Sequence, residues 1–190
     1  RLVMPHHPGQ ELPLEQNCPD AIRAEENSPK RLPRQSVCEV SRLAIPSRFR
    51  RREADSKVSP ITGKAMDERI GNTSKRDFPF LSLALYFFAA SICLLRDIEK
   101  AYVMMEPRLA RSMRMMGIHF VQVGPVVNYH GKRAAYQVNP VDLVEQVSPA
   151  LKKFQRQIMG ELEDVPEFGD VLRKQSYSFV KKQEKRRKAA

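Results

Sequence analysis

The stretch Ala101-Tyr-Val-Met-Met-Glu-Pro-Arg-Leu-Ala-Arg-Ser-Met-Arg-Met-Met-Gly-Ile-His-Phe-Val-Gln-Val123 decides the fold class. Its first five residues form a short apolar run with polar neighbours on both sides, which reads as a buried strand. Glu106-Pro107 starts a helix with proline at the first position, Arg108 to Met116 continue it, and Gly117 stops it. Ile118 to Val123 then read as a second strand, so 101–123 is a βαβ unit whose strands are either paired or splayed beside a ligand. Gly124-Pro125 ends that strand, and Val126–His130 with Ala134–Val138 around Gly131-Lys132 read as a hairpin.

Upstream, Arg1-Leu-Val-Met4 reads as the end of a strand stopped by Pro5 and Pro8-Gly9. Pro13, Pro19, Pro29 and Pro33 forbid a long helix between Glu11 and Gln35 and imply an extended connection. In Ser36-Val-Cys-Glu-Val-Ser-Arg-Leu-Ala-Ile45, alternation places Val37, Glu39, Ser41 and Leu43 on one face and Cys38, Val40, Arg42 and Ala44 on the other. This strand carries polar groups on both faces. Arg48-Phe-Arg-Arg-Arg52 follows, and 53–76 reads as a mobile loop. Phe78 to Leu95 contains no charge over 18 residues, the lower limit for crossing a bilayer. A helix buried on most sides has the same look. The buried helix is preferred, because neighbouring strands and helices alternate in a way that needs a covering helix.

Beyond Pro140, the spacing of Leu143, Val147, Leu151, Phe154, Ile158 and Leu162 predicts one or two amphipathic helices, with Ser148-Pro149 as cap and restart. Residues 1–140 thus form one α/β domain, 141–175 a helical extension and 176–190 a basic tail. The chain starts with Arg1 and no basic-then-apolar leader precedes it, so the domain is expected to continue upstream of residue 1.

In 190 residues, 33 Lys and Arg stand against 22 Asp and Glu, a net charge of +11, which favours an anionic partner without identifying it. With aromatics at 7%, no Trp, and the basic residues gathered at 48–52 and in the tail, specific nucleic-acid binding is not expected. Contact of the tail with a membrane surface remains an alternative, as does a membrane-associated scaffold inserting Phe78–Leu95. Cys18, Cys38 and Cys93 lie far apart with no CxxC, which suggests neither a zinc site nor a disulfide framework and is compatible with the cytoplasm. His6-His7 lacks a third metal ligand at any usual spacing, so no metal is expected. His119 reads as a core or edge histidine, and Tyr129, His130 and Lys132 as a polar group at the hairpin turn. No nucleotide-binding glycine motif occurs.

The remaining constellation is Glu39-Val-Ser-Arg42. Three positions apart on a strand, Glu39 and Arg42 point to opposite faces, so each needs its own partner. Glu39 is either a surface or ion-paired carboxylate or, beside a cleft, a base that takes a proton from an attacking amine, with Ser41 on the same face to orient a water. Ala84, Phe87, Phe88, Met104 and Met105 are candidates to line an apolar slot, against the alternative of plain core packing.

Taken in order, Arg1-Leu-Val, Glu39-Val-Ser-Arg-Leu43, the basic turn, the long apolar helix and Met105–Phe120 continuing to Val-Gly-Pro-Val-Val-Asn-Tyr-His-Gly-Lys-Arg133 resemble the GCN5-related acyltransferase (GNAT) fold. Within it, the chain is similar to acyl-homoserine-lactone autoinducer synthases and N-acyl amino acid synthases, and most to bacterial acyltransferases associated with the PEP-CTERM/exosortase system. The resemblance covers about residues 1–140 and implies a mixed sheet flanked by helices. It implies transfer of a fatty acyl group from an acyl carrier protein or coenzyme A thioester to a small amine, with Glu39 as base and Arg1 and Arg42 in the active-site set. Ser41 is a further catalytic candidate, and Leu43, Ala44, Phe87 and Met104 are substrate-side candidates beside Arg1. The resemblance also implies that Arg48, Arg50, Arg51 and Arg52 meet the phosphate of a phosphopantetheine arm. These arginines stand where ordinary members of the fold carry a glycine-rich loop, which favours an acidic carrier protein over coenzyme A.

Overall fold

The computed structural model describes residues 1–23, 27–43 and 80–166. Ala44, Arg48, Arg50, Arg51 and Arg52, the expected loop 53–76, residues 167–175 of the expected helical extension and the basic tail 176–190 lie outside the described residues.

Five strands form one mixed sheet in the order β1-β2-β3-β5-β4, with β1 at Leu2–Val3, β2 at Val37–Val40, β3 at Lys100–Met105, β4 at Val121–Asn128 and β5 at Lys132–Val138. Strand β2 runs antiparallel to β1 and parallel to β3, while β5 is antiparallel to both β3 and β4. The 101–123 unit is therefore neither paired nor splayed on itself, because β5 separates its two strands. A hairpin supplies the intervening strand, and its pairing is cheap in chain entropy because β4 and β5 are adjacent in sequence. The splay lies elsewhere: β2 and β3 pair only from Val37↔Lys100 to Glu39↔Tyr102, while β3 runs on to Met105 beside β5.

Strand β4 departs from the sequence reading at both ends. Residues 118–120 are not strand, and Gly124-Pro125 does not end it. The pairing shifts between Gln122↔Tyr136 and Val126↔Ala134, so Gly124-Pro125 forms a bulge instead of a stop. Ala21 packs into that bulge: a Cβ on Gly124 would lie 1.8 Å from the Ala21 carbonyl oxygen, and the Arg23 N–H donates to the Val123 carbonyl at 3.3 Å. His119 is exposed and off the strand, not a core or edge histidine. The turn after β4 places His130 at φ 49° and Gly131 at φ 99°, left-handed backbone that a tight hairpin requires.

One face of the sheet is covered by helices. Helix α2 (Phe80–Leu95) buries Leu83, Phe87, Ala90, Cys93 and Leu95 and packs against α4 (Pro140–Gln146) and α5 (Pro149–Glu163). Being wrapped on several sides, it needs no polar stripe, which is why its sequence shows none. Phe87 meets Phe154 of α5 edge-on, ring centroids 5.8 Å apart. No helix among the described residues, α2 at 16 residues included, is long and apolar enough to cross a bilayer. Helix α3 (Pro107–Met115) ends before Gly117, whose φ of 82° provides the stop. Ser148 caps α5, its Oγ accepting from the Leu151 N–H.

The opposite face is covered by the proline-rich segment. Leu12, Leu14, Cys18 and Ala21 pack there on Val37, Tyr102, Val123 and Ala135. The segment folds as a short helix α1 (Pro13–Asn17) and single turns at Pro19–Ala21, Pro29–Arg31 and Arg34–Ser36. It is fastened by polar contacts: Glu15 pairs with Arg34 at 2.6 Å, and the Tyr102 hydroxyl and Gln137 amide both donate to Asn27.

Candidate active site

Glu39 lies at the last pairing of β2 with β3, on the face covered by α1. Only 4% of its surface is exposed, and its Oε2 accepts the Leu14 N–H at 2.7 Å. Burial raises its pKa to about 7; the Leu14 N–H and the nearby Arg1 charge oppose the shift, and the Glu15 charge adds to it. A carboxyl so placed is divided between acid and base forms near neutral pH, the condition under which it can take up and release a proton.

Beside it is a polar cavity of about 50 Å³ lined by Pro13, Leu14, Glu39, Val40, Ser41, Arg42, Met104, Tyr129 and Arg133. At ~10–15 Å³ per water it holds a few waters or a small polar group. The structure brings Glu39, Ser41, Arg42 and Met104 to this one place. Arg42 reaches it against the alternation argument, because β2 ends at Val40 and Arg42 adopts φ 53°. Left-handed backbone is costly for a side chain of this size. It turns the arginine back toward the face Glu39 occupies, though the two do not form an ion pair.

Arg1 sits beside this end of β2, its carbonyl accepting the Ser41 N–H at 2.8 Å. Leu43 is half-buried and lines neither this cavity nor the apolar one described next. Phe87 is fully buried on the other side of the sheet, against Phe154, and does not reach the cavity.

A second cavity, of about 40 Å³, lies on the helix-covered face. Tyr86, Ala89, Ala90 and Cys93 of α2 form one wall, and residues of β3 including Val103 and Met105, with Val138, Phe120 and Leu143, lie among those on the other sides. Met105 is thus the expected slot residue that lines it; Phe88 is 42% exposed. Successive strand residues point to opposite faces, so Met104 belongs to the polar cavity and its neighbours to the apolar one. Val40 lines both, at the point where β2 parts from β3.

Arg133 and Tyr129 were not singled out as cavity residues by sequence. Arg133 shares a face with Ala135 and Gln137 through the β3–β5 register, and Tyr129 follows from the turn that closes the hairpin. The one available signal was the polar cluster at 129–132. Among the described residues, no group of three His, Cys, Asp or Glu side chains is placed to hold a metal ion.

No protein-family model matches the chain, and no curated protein matches its sequence. Among solved structures, the chain is similar to the crystal structure of TofI in an apo form, with a TM-score of 0.47 and 15% identity, over 80% of this chain and 66% of that one.

Proposed function

We propose that the protein is an acyltransferase that moves a fatty acyl group from a thioester to a small amine. One observation carries the reading: a buried carboxyl with its pKa near 7 stands in an arginine-lined polar cavity that shares one wall residue, Val40, with an apolar slot, where two parallel strands part. The two cavities match the two halves of such a reaction, a polar nucleophile and an apolar chain.

In this reading the amine enters the polar cavity and Glu39 takes its proton, directly or through a water. The nitrogen attacks the thioester carbonyl, the C–N bond forms and the C–S bond breaks, and the thiolate leaves and is protonated. Backbone groups of Val103–Met105 beyond the β2–β3 pairing border the gap where the carbonyl oxygen gains charge, and N–H donors there would stabilise it. The acyl chain lies along Ala89, Ala90, Val103 and Met105. The donor is an acyl carrier protein or coenzyme A thioester, with Arg48, Arg50, Arg51 and Arg52 meeting its phosphate, and an acidic carrier would dock by charge. Arg1 and Arg42 orient the reactants, with Ser41 holding the water.

The test is transfer from a panel of acyl thioesters to amines, followed by mass spectrometry of the N-acyl product in wild type and Glu39→Gln. The amide keeps the size and hydrogen-bonding capacity of the acid, so a folded variant without turnover supports the reading. Full turnover by that variant removes Glu39 as the base.

A further inference from the structure

Two of the three cysteines meet in space although 55 residues separate them. Cys38 of β2 and Cys93 of α2 are both free thiols with Sγ atoms 3.5 Å apart. Forming a bond of ~2.05 Å between them needs the sulfurs to close by about 1.5 Å. The pair is asymmetric in its surroundings. Both are buried, Cys38 at 0% and Cys93 at 1% exposure, and of the two only Cys93 lines the apolar cavity. Cys18 is on the opposite face of the sheet, in the cluster with Leu12 and Leu14.

We propose that Cys38 and Cys93 are a reversible oxidation site, in which the Cys93 sulfur attacks a small hydroperoxide entering the apolar slot and Cys38 resolves the product. In the first step the Cys93 sulfur takes the terminal oxygen of the hydroperoxide, giving a sulfenic acid and one water or alcohol. In the second the Cys38 sulfur displaces hydroxide from that sulfenic acid, giving the Cys38–Cys93 disulfide and a water. The two thiols lose two electrons and two protons in all, and the hydroperoxide accepts them. Cys93 is the thiol a hydroperoxide in the slot meets first, because it lines the cavity and Cys38 does not; the hydrogen bond with Cys93 and burial push the Cys38 thiol far up. The disulfide would join the strand that carries Glu39 to the wall of the slot. Its formation does not depend on the acyltransferase reading.

The experiment treats the folded, freshly reduced full chain with hydrogen peroxide, removes the oxidant, unfolds, alkylates and maps the peptides by mass spectrometry. The expected product is a Cys38–Cys93 cross-linked peptide, two hydrogens lighter than the sum of its parts, with Cys18 alkylated and the link reversed by dithiothreitol. In Cys38→Ser, the sulfenic acid should persist on Cys93 and be trapped by dimedone. Recovery of Cys38 and Cys93 as alkylated thiols after peroxide treatment overturns the proposal, as does a cross-link through Cys18. The wild-type map alone decides if the variant fails to fold.

Discussion

At the residue scale, Glu39 is the group whose raised pKa sets a pH response, and the proposed chemistry rests on it. Its folded pKa, about 7, lies above the ordinary carboxylate value of 4.5. Between these values the folded state holds a proton the unfolded chain has released, so this group's contribution to stability falls as pH rises from 4.5 to 7 and is level above that. The slope is at most about 1.4 kcal/mol per pH unit, and denaturant unfolding at several pH values should find it reduced in Glu39→Gln. Under the proposed mechanism activity should change the opposite way, because there the base form of Glu39 takes the proton. We expect kcat/KM to rise with pH through about 7 in the wild type, and Glu39→Gln to lose that rise along with roughly 10²–10⁴-fold of rate. A rise that survives the substitution assigns it to another group. Ser41 and Arg42 were named from the Glu39-Val-Ser-Arg42 motif, but the position of Arg42 depends on a backbone turn that alternation cannot foresee, and Met104, expected in the apolar slot with Met105, lines the polar cavity instead.

At the element scale, helix α2 and strand β4 show what pattern reading resolves. The helix was legible as buried, but the rotational phase of a nearly all-apolar helix is not, which is why Phe87 was expected at a slot that Ala89, Ala90 and Cys93 line instead. Ala89→Leu puts extra bulk into that slot. It should lower transfer of long acyl chains selectively, with short chains little affected, and competition between acyl lengths in one reaction reads the ratio. Equal effects at every length would move the acyl chain elsewhere. On β4, Gly124 meets the Ala21 carbonyl so closely that a methyl group there must displace backbone. Gly124→Ala should therefore destabilise by about 1–3 kcal/mol or more, seen as a lower denaturant midpoint. Glycine before proline had read as the end of a strand; it is a bulge, packed against residues about a hundred positions upstream.

At the scale of the whole molecule, the polar cavity exists because the proline-rich segment closes over the sheet. Leu14 supplies both a wall of the cavity and the N–H that Glu39 accepts, and the Glu15–Arg34 pair fastens the helix that carries it. The side chains of that pair are 3% and 11% exposed, so removing one partner leaves a charge nearly out of water. Glu15→Ala should cost about 3–5 kcal/mol by thermal or denaturant unfolding. It should also loosen α1 and shift Glu39 back toward an ordinary carboxylate, which a lower midpoint of the pH profile would report.

By itself the sequence determined the α/β class, the buried helix, the Ser148 cap of the last helix and the motif around Glu39. These follow from periodicity, turn chemistry and side-chain type, all of which act within a few residues. Only the tertiary structure decided that β5 lies between β3 and β4, that Arg133 and Tyr129 join Glu39, that Val40 lines two cavities and that Cys38 meets Cys93. Each of those depends on the pairing of segments far apart along the chain, where the free energy belongs to the packed arrangement and no local pattern encodes it.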